Sequence, residues 1–200
     1  MIARLLRPAA RAAALAAVLA VSACDHFSAS GWNAKVVSGL LPDLEFHMTD
    51  DRGAAVTARD YRGGMVLLYF GYTHCPDVCP TTLARLAQVV GELGGAGRHM
   101  HILFVTVDPA RDTTAQLSEY AHAFGPEVVG LRGTPAETEA LVKRYRVSYS
   151  LGKPDARGDY EVMHSSGVFV FDRDGHARLL VLAEDPAPAI RADLARLAGE

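Results

Sequence analysis

Residues 65–83 read M-V-L-L-Y-F-G-Y-T-H-C-P-D-V-C-P-T-T-L, which is an apolar run, a loop with two cysteines and the start of an amphipathic segment. The run from Met65 to Phe70 is apolar at every position, as in a strand that is buried on both faces of a sheet. From Thr81 to Leu93 the apolar residues recur at helical spacing. Cys75 and Cys79 are therefore predicted in a strand-to-helix loop, where α/β proteins commonly gather their ligands.

The rest of the chain continues this alternation of strands and helices. We predict a hairpin at 44–56, a strand at 101–107, a helix at about 113–124, a short strand at about 128–131, a helix at 135–145, a second hairpin formed by 167–172 and 177–182, and a helix at about 188–197. This order is typical of a thioredoxin-like domain. The predicted fold class is therefore α/β, with a central mixed sheet flanked by helices and an extra N-terminal hairpin.

Composition places the chain among ordinary globular proteins. Half of the 200 residues are apolar and 22% are charged, which excludes a disordered or fibrous chain and favours one folded domain. We predict a signal peptide at 1–23, a membrane tether at 24–41 and the folded domain at 42–200.

The N-terminus has the pattern of an export signal. Arg4, Arg7 and Arg11 precede a stretch of about ten apolar residues, which is too short to cross a bilayer because a span needs about 20 residues. The signal ends in V-S-A-C, which resembles a bacterial lipobox, so we predict that Cys24 carries a lipid. Asp25 follows it, and in enterobacterial lipoproteins an aspartate at this place favours retention in the inner membrane.

The charge of the mature chain excludes one class of partner. Loss of the three N-terminal arginines leaves 17 basic residues against 23 acidic ones, a formal charge of about −6. No stripe of lysine and arginine is present of the kind that binds phosphate, so nucleic acid is not an expected partner.

With Cys24 assigned to a lipid, Cys75 and Cys79 are the remaining cysteines of an exported domain, and they form a disulfide, a redox couple or part of a metal site. Helical positions four apart hold Cβ atoms about 5–6 Å apart, whereas a relaxed disulfide needs about 3.8 Å. Pro80 is comfortable as the first residue of a helix, so we predict that the helix begins there and that both cysteines lie in the preceding turn. A disulfide in that turn would be strained and labile.

A metal site places fewer demands on the two cysteines, because metal–sulfur bonds of about 2.3 Å let the two sulfurs stay several ångströms apart. Thiolates favour Cu(I) or zinc, and a third ligand is then expected. Of the eight histidines, His164 is the best candidate, since it lies in Y-E-V-M-H-S-S-G just before the C-terminal hairpin. In thioredoxin-like folds this loop faces the active-site cysteines. His74 is a weaker candidate, because a residue next to a ligand usually points away from the metal.

Three blocks of sequence together resemble the Sco/SenC family of copper-binding proteins that assist cytochrome c oxidase assembly. They are G-Y-T-H-C-P-D-V-C-P-T-T at 71–82, V-T-V-D-P-A-R-D-T at 105–113 and Y-E-V-M-H-S-S at 160–166. The resemblance implies that Cys75, Cys79 and His164 bind copper. It also implies a protein tethered on the periplasmic side of the bacterial inner membrane.

The resemblance also implies partners. The protein would receive copper from a donor chaperone and mature the binuclear copper centre of the oxidase's copper-binding subunit, by metal delivery, by reduction of that subunit's cysteines, or by both. The main alternative is a periplasmic thiol-disulfide oxidoreductase in which Cys75 and Cys79 are the redox-active pair. A peroxidase-like role is weaker, because the residues before Cys75 lack the usual peroxidatic pattern.

Several residues beside the ligands also match or depart from the family pattern. Asp77 matches it, and either tunes metal exchange or is a solvated carboxylate. Met163 departs from it, because many relatives have aspartate there, and we expect its side chain to point away from that of His164. We expect Asp108, Arg111 and Asp112 to fix loops and cap a helix rather than to carry out chemistry.

Overall fold

The computed structural model describes residues 31–156 and 160–200. The predicted signal peptide at 1–23 and the predicted lipid site at Cys24 lie outside the described residues. Within the described part of the chain, no helix is long and apolar enough to cross a bilayer.

Strands and helices alternate through most of the described chain. The strands are β1 Lys35–Val36, β2 His47–Asp50, β3 Ala55–Thr57, β4 Met65–Gly71, β5 Met100–Thr106, β6 Val128–Arg132, β7 Tyr149–Leu151, β8 Val162–His164, β9 Val168–Phe171 and β10 Ala177–Val181. The helices are α1 Val78–Glu92, α2 Thr114–His122, α3 Pro135–Arg144 and α4 Ala187–Ala198.

The main sheet has eight strands in the order β1-β10-β9-β4-β5-β6-β2-β3. Strands β4, β5 and β6 are parallel, while β9 runs antiparallel to β4 and β2 runs antiparallel to β6. Strands β7 and β8 form a separate antiparallel pair. The predicted thioredoxin-like class, a mixed sheet with flanking helices and an extra N-terminal hairpin, is confirmed.

Strand β4 lies at the centre of the core, and all of its residues are buried. Neighbouring side chains of a strand point to opposite faces of the sheet. On one face Tyr69 packs against Phe104, which contacts Tyr120 of α2. On the other face Phe70 packs against Tyr145 at the end of α3. Because helices cover both faces, β4 reads as a continuous apolar run rather than as an alternating one.

Two of the helix starts follow from their first residues. Thr113 and Gln116 form a capping box at the start of α2, and Thr134 and Glu137 form another at the start of α3. Pro135 occupies the first turn of α3, where its missing N–H costs nothing. The predicted starts of these helices are accordingly close to the observed ones.

The start of α1 differs from the prediction. The helix begins at Val78 and not at Pro80, so Cys79 lies inside the first turn instead of before it. The N–H groups of the first turn have no partners within the helix, and a proline there removes no hydrogen bond. The first turn closes when the Thr81 N–H donates to the Asp77 carbonyl at 3.1 Å.

The N-terminal part of the described chain also differs from the predicted tether at 24–41. Strand β1 joins the edge of the main sheet by pairing with β10. Just before it, the N–H groups of Asn33 and Ala34 donate to the carboxylate of Asp193 on α4, which is 2% exposed. A two-residue strand has no periodicity that a sequence could show, so these residues look like a linker until their partners are known.

Candidate metal centre

The loop with the two cysteines follows β4 and is held tightly at its start. A side chain on Gly71 would place its Cβ 2.5 Å from the Phe104 ring and 2.9 Å from the Cys79 sulfur, so the position requires glycine. Two residues later, Thr73 donates to the carboxylate of Asp112 from its N–H at 3.0 Å and from its hydroxyl at 2.6 Å. Asp112 is fully buried and also accepts from Thr106 at the end of β5. The loop is therefore fixed to the parallel strands, as predicted for Asp112.

The two cysteines, both free thiols, have different surroundings. Cys79 is fully buried, whereas Cys75 is partly exposed. The Cys79 N–H points at the Cys75 sulfur at 3.4 Å. Burial raises the pKa of the Cys79 thiol to about 12. Burial acts in the same direction on Cys75, but the backbone N–H groups of Asp77 and Cys79 at the start of α1 hold the pKa of the Cys75 thiol below its ordinary value.

This difference predicts selective alkylation. We expect a short pulse of iodoacetamide at pH 8 to modify Cys75 at least about tenfold faster than Cys79, because the thiolate is the reactive form and Cys79 is both neutral and inaccessible. Peptide mapping by mass spectrometry measures both rates. Unfolding in guanidinium is the control, since it should bring the two rates together. Equal rates in the folded protein would contradict the assignment.

His164 approaches Cys79 from the second sheet. Its Nε2 lies 3.4 Å from the Cys79 sulfur, although the two residues are 85 positions apart. The other ring nitrogen, Nδ1, is 3.0 Å from the Ser165 carbonyl oxygen. A proton on Nδ1 donates to that carbonyl and leaves the Nε2 lone pair directed at the sulfur. The rings of Tyr69 and Tyr72 lie edge-on to the imidazole, with centroids 6.2 and 6.0 Å away.

Of the three predicted ligands, Cys79 and His164 are in contact, and the Cys79 N–H points at the Cys75 sulfur. Metal bonds of about 2.0 Å to nitrogen and 2.3 Å to sulfur hold two such donors about 3.5 Å apart. The observed separation of 3.4 Å between Cys79 and His164 matches that value. The donor atoms of all three residues do not lie within 4.8 Å of one another. Cys75 is the more exposed of the two cysteines.

Other candidates from the sequence lie apart from this group. The Nδ1 atom of His74 is directed to Asp112 at 3.4 Å. Met163 is 69% exposed, as expected for a residue whose side chain points away from that of its neighbour His164. Asp77 is exposed at the cap position of α1 and makes no side-chain cap bond there.

Asp108, Arg111 and Asp112 hold loops in place, as the sequence predicted, but the predicted helix cap is supplied by the next residue, Thr113. Asp108, which is 1% exposed, accepts a hydrogen bond from the Tyr160 hydroxyl at 2.6 Å. The Arg111 guanidinium bonds to the same carboxylate and lies 3.7 Å above the centre of the Tyr160 ring. Sequence reasoning missed this role of Tyr160. Tyr160 begins the block Y-E-V-M-H-S-S, and its place four positions before His164 is the signal that could have indicated this role.

A second group of donor atoms lies at the other end of β9. Among the described residues, Asp172, Asp174 and His176 have donor atoms within 4.8 Å of one another. Asp172 already bonds to Arg178 and to the N–H groups of the β9–β10 turn. These contacts account for the cluster as the turn's own hydrogen bonding.

Comparison with known proteins identifies the family of the chain. Residues 41–199 match the family model SCO1/SenC. The chain belongs to the SCO1/SenC family. Its SCO1/SenC domain is similar to Protein SCO2 homolog, mitochondrial, from Bos taurus, with 42% identity over 133 residues, 66% of this chain and 50% of the relative. The chain thus spans about half the length of the curated relatives that it matches.

Solved structures of SCO1/SenC proteins have the same fold. Bradyrhizobium japonicum ScoI with copper bound is 38% identical with a TM-score of 0.70, over 78% of this chain and 98% of that one. Yeast Sco1 with copper bound is 33% identical with a TM-score of 0.71, over 78% of this chain and 88% of that one. The shared fold extends over 78% of this chain in both comparisons.

Proposed function

We propose that this protein binds copper through Cys75, Cys79 and His164 and uses it in the assembly of cytochrome c oxidase. The observation that carries the proposal is the 3.4 Å contact between the Cys79 sulfur and His164 Nε2, which joins two parts of the chain that sequence alone does not connect. Two thiolates and one imidazole are soft and borderline donors, a set that suits Cu(I) and, with a further ligand, Cu(II). Two similar proteins of known structure hold copper.

Copper in this protein would be cargo. Its destination would be the binuclear copper centre of the oxidase's copper-binding subunit, and its source would be a donor chaperone. The unequal burial of the two sulfurs supports release as well as capture, because Cys75 is accessible to an incoming ligand while Cys79 is not. A partner thiol can therefore attack the metal from the Cys75 side.

The second candidate function is thiol-disulfide exchange, either on the cysteines of the same oxidase subunit or in general redox homeostasis. The difference in pKa between Cys75 and Cys79 favours it, since a nucleophilic thiol beside a buried one is the arrangement of such oxidoreductases. A reduction potential of the pair near that of reducing thioredoxins, about −270 mV, would favour this role over copper delivery.

The location in the cell is part of the proposal. A lipid on Cys24 would anchor the protein on the periplasmic side of the bacterial inner membrane, and the chain between the anchor and strand β1 would serve as the tether. The sequence pattern of residues 1–25 supports this. The curated relative quoted above is a mitochondrial protein, so the proposed periplasmic location rests on this N-terminal pattern and not on the comparisons.

A copper titration tests the proposed function. Reduced, metal-free protein is titrated with Cu(I) against a chromophoric chelator, and separately with Cu(II). We expect one copper per chain in each case, and absorption bands from thiolate-to-Cu(II) charge transfer in the second. A deletion strain should lose oxidase activity and regain it with the wild-type gene but not with the Cys75→Ser gene. Absence of copper binding, with full oxidase activity in the deletion strain, would overturn the proposal.

A further inference from the structure

His164 is placed by an element that stands outside the main sheet. Strand β8 pairs with β7 in a two-stranded sheet, whereas the cysteine loop follows β4 in the eight-stranded sheet. No ladder of backbone hydrogen bonds joins the two sheets in the described residues. The separation between His164 and Cys79 is therefore set by side-chain contacts, among them that of Tyr72 with the Val162 backbone, and by the short link at 165–167 that joins β8 to β9.

One set of side chains makes that connection directly. The Tyr160 hydroxyl donates to Asp108 Oδ1 at 2.6 Å, and Arg111 bonds to Asp108 Oδ2 while its guanidinium covers the Tyr160 ring at 3.7 Å. We call Tyr160, Asp108 and Arg111 the Tyr160 clasp. It grips the chain two residues before β8 begins.

The Asp108 side of the clasp is rigid. Asp108 is 1% exposed, and its N–H donates to the Thr106 hydroxyl at 3.0 Å. Its carbonyl accepts from the Asp112 N–H at 3.0 Å, and Asp112 in turn holds Thr73 of the cysteine loop. The clasp thus attaches the chain before β8 to the same buried loop, 108–112, that holds the cysteine loop through Thr73.

The clasp is also continuous with the rings around His164. The Arg111 guanidinium, which covers the Tyr160 ring, also lies 6.0 Å from the centre of the Tyr72 ring. The Tyr72 ring is perpendicular to the imidazole of His164 at 6.0 Å. A shift of Arg111 or Tyr160 is therefore passed to His164 by contact as well as through the backbone of β8.

We propose that Tyr160 is a positioning residue, which holds His164 over Cys79 without touching the metal itself. The proposal rests on the proposed copper binding. With the clasp open, the two-stranded sheet pivots and His164 spends only part of its time near the sulfur. The apparent copper affinity is then the intrinsic affinity multiplied by the fraction of molecules in which His164 is in place.

The test is a double-mutant cycle. Tyr160→Phe removes the hydroxyl but keeps the ring under Arg111, and we expect it to weaken copper binding about tenfold, which corresponds to His164 being in place about a tenth of the time. In the His164→Ala background the same change should have no effect, since the residue through which it acts is gone. An equal loss in both backgrounds would overturn the proposal, because Tyr160 would then act through the cysteines or the fold.

Tyr149→Phe is the matched control. Tyr149 lies on β7 directly opposite His164 in the same two-stranded sheet, and its hydroxyl takes no part in the hydrogen bonds of the Tyr160 clasp. We expect it to leave copper affinity unchanged. Arg111→Lys is a second test of the clasp, because lysine keeps the charge but loses the stacked guanidinium, and it should weaken binding in the same direction as Tyr160→Phe.

A measurement on metal-free protein separates this proposal from that of copper binding. Proton NMR should show a cross-relaxation contact between the Tyr72 and His164 rings in the wild type and in Tyr149→Phe, and a weakened one in Tyr160→Phe at unchanged melting temperature. If the wild type fails to bind copper, the proposed function is wrong. The NMR contact between Tyr72 and His164 still shows whether Tyr160 positions His164. An undiminished contact in Tyr160→Phe, together with wild-type copper affinity, would overturn the clasp alone.

Discussion

Replacing His164 with alanine is expected to lower copper affinity by at least about 100-fold. Loss of residues that merely orient a ligand costs 10- to 100-fold in metal affinity, and here a direct donor would be lost. Cys75 and Cys79 would remain, so weak Cu(I) binding and thiol-disulfide exchange should survive. Competition titration with a Cu(I) chelator measures the first, and exchange with a model disulfide measures the second.

His74→Ala is the control for this prediction, because His74 is the histidine next to Cys75 in sequence. Its Nδ1 is directed to Asp112 and not to the sulfurs, so we expect copper affinity to stay within about twofold of the wild type. The two variants thus compare a histidine that is next to Cys75 in sequence with one that contacts Cys79 in space. Unchanged copper binding by His164→Ala, or a collapse caused by His74→Ala, would refute the three-ligand assignment.

The largest expected effect on stability comes from Asp112→Ala. The carboxylate is fully buried and accepts hydrogen bonds from Thr73 and Thr106, which would be left with unsatisfied donors. Each buried donor without a partner costs about 1–3 kcal/mol, so we expect the free energy of unfolding to fall by about 3–5 kcal/mol. For a domain of this size that corresponds to a drop of about 10 °C in melting temperature. Calorimetry or circular dichroism of the metal-free protein measures it.

Asp60→Ala is matched to this change. Asp60 also accepts from a threonine N–H and hydroxyl, those of Thr57, but it is exposed, and water replaces the lost acceptor. We expect a much smaller drop in melting temperature. Similar drops for the two variants would mean that Asp112 contributes as a cap and not as the buried anchor of the cysteine loop.

Much of the fold can be predicted from the sequence because its central strands and helices carry strong sequence patterns. Strand β4 is apolar throughout because helices cover it on both sides. Helices α2 and α3 each follow a threonine that caps the first turn. Strand β1 is different, because its two residues acquire their structure from β10 and from the buried Asp193 on α4. Such tertiary partners are invisible to any pattern within the segment itself.

The sequence singles out three candidate donors but not their environment. The cysteines stand out by their spacing and His164 by its place before the C-terminal hairpin. The start of α1 at Val78 was not predictable, since Pro80 is tolerated at several positions of a first turn. That difference of two residues puts Cys79 inside the helix and out of reach of solvent, which sets the contrast in pKa between the two thiols.

The two-stranded sheet of β7 and β8 can open separately from the eight-stranded sheet. Strands β4 and β9 are buried in the main sheet, whereas β8 pairs only with β7 through three residue pairs, so we expect β8 to open locally at a lower free energy than the main sheet. Such a local opening removes His164 and leaves Cys75 and Cys79 where they are. In the proposed copper site, such an opening would change three donors to two without unfolding the domain, and would give the metal ion a route of release.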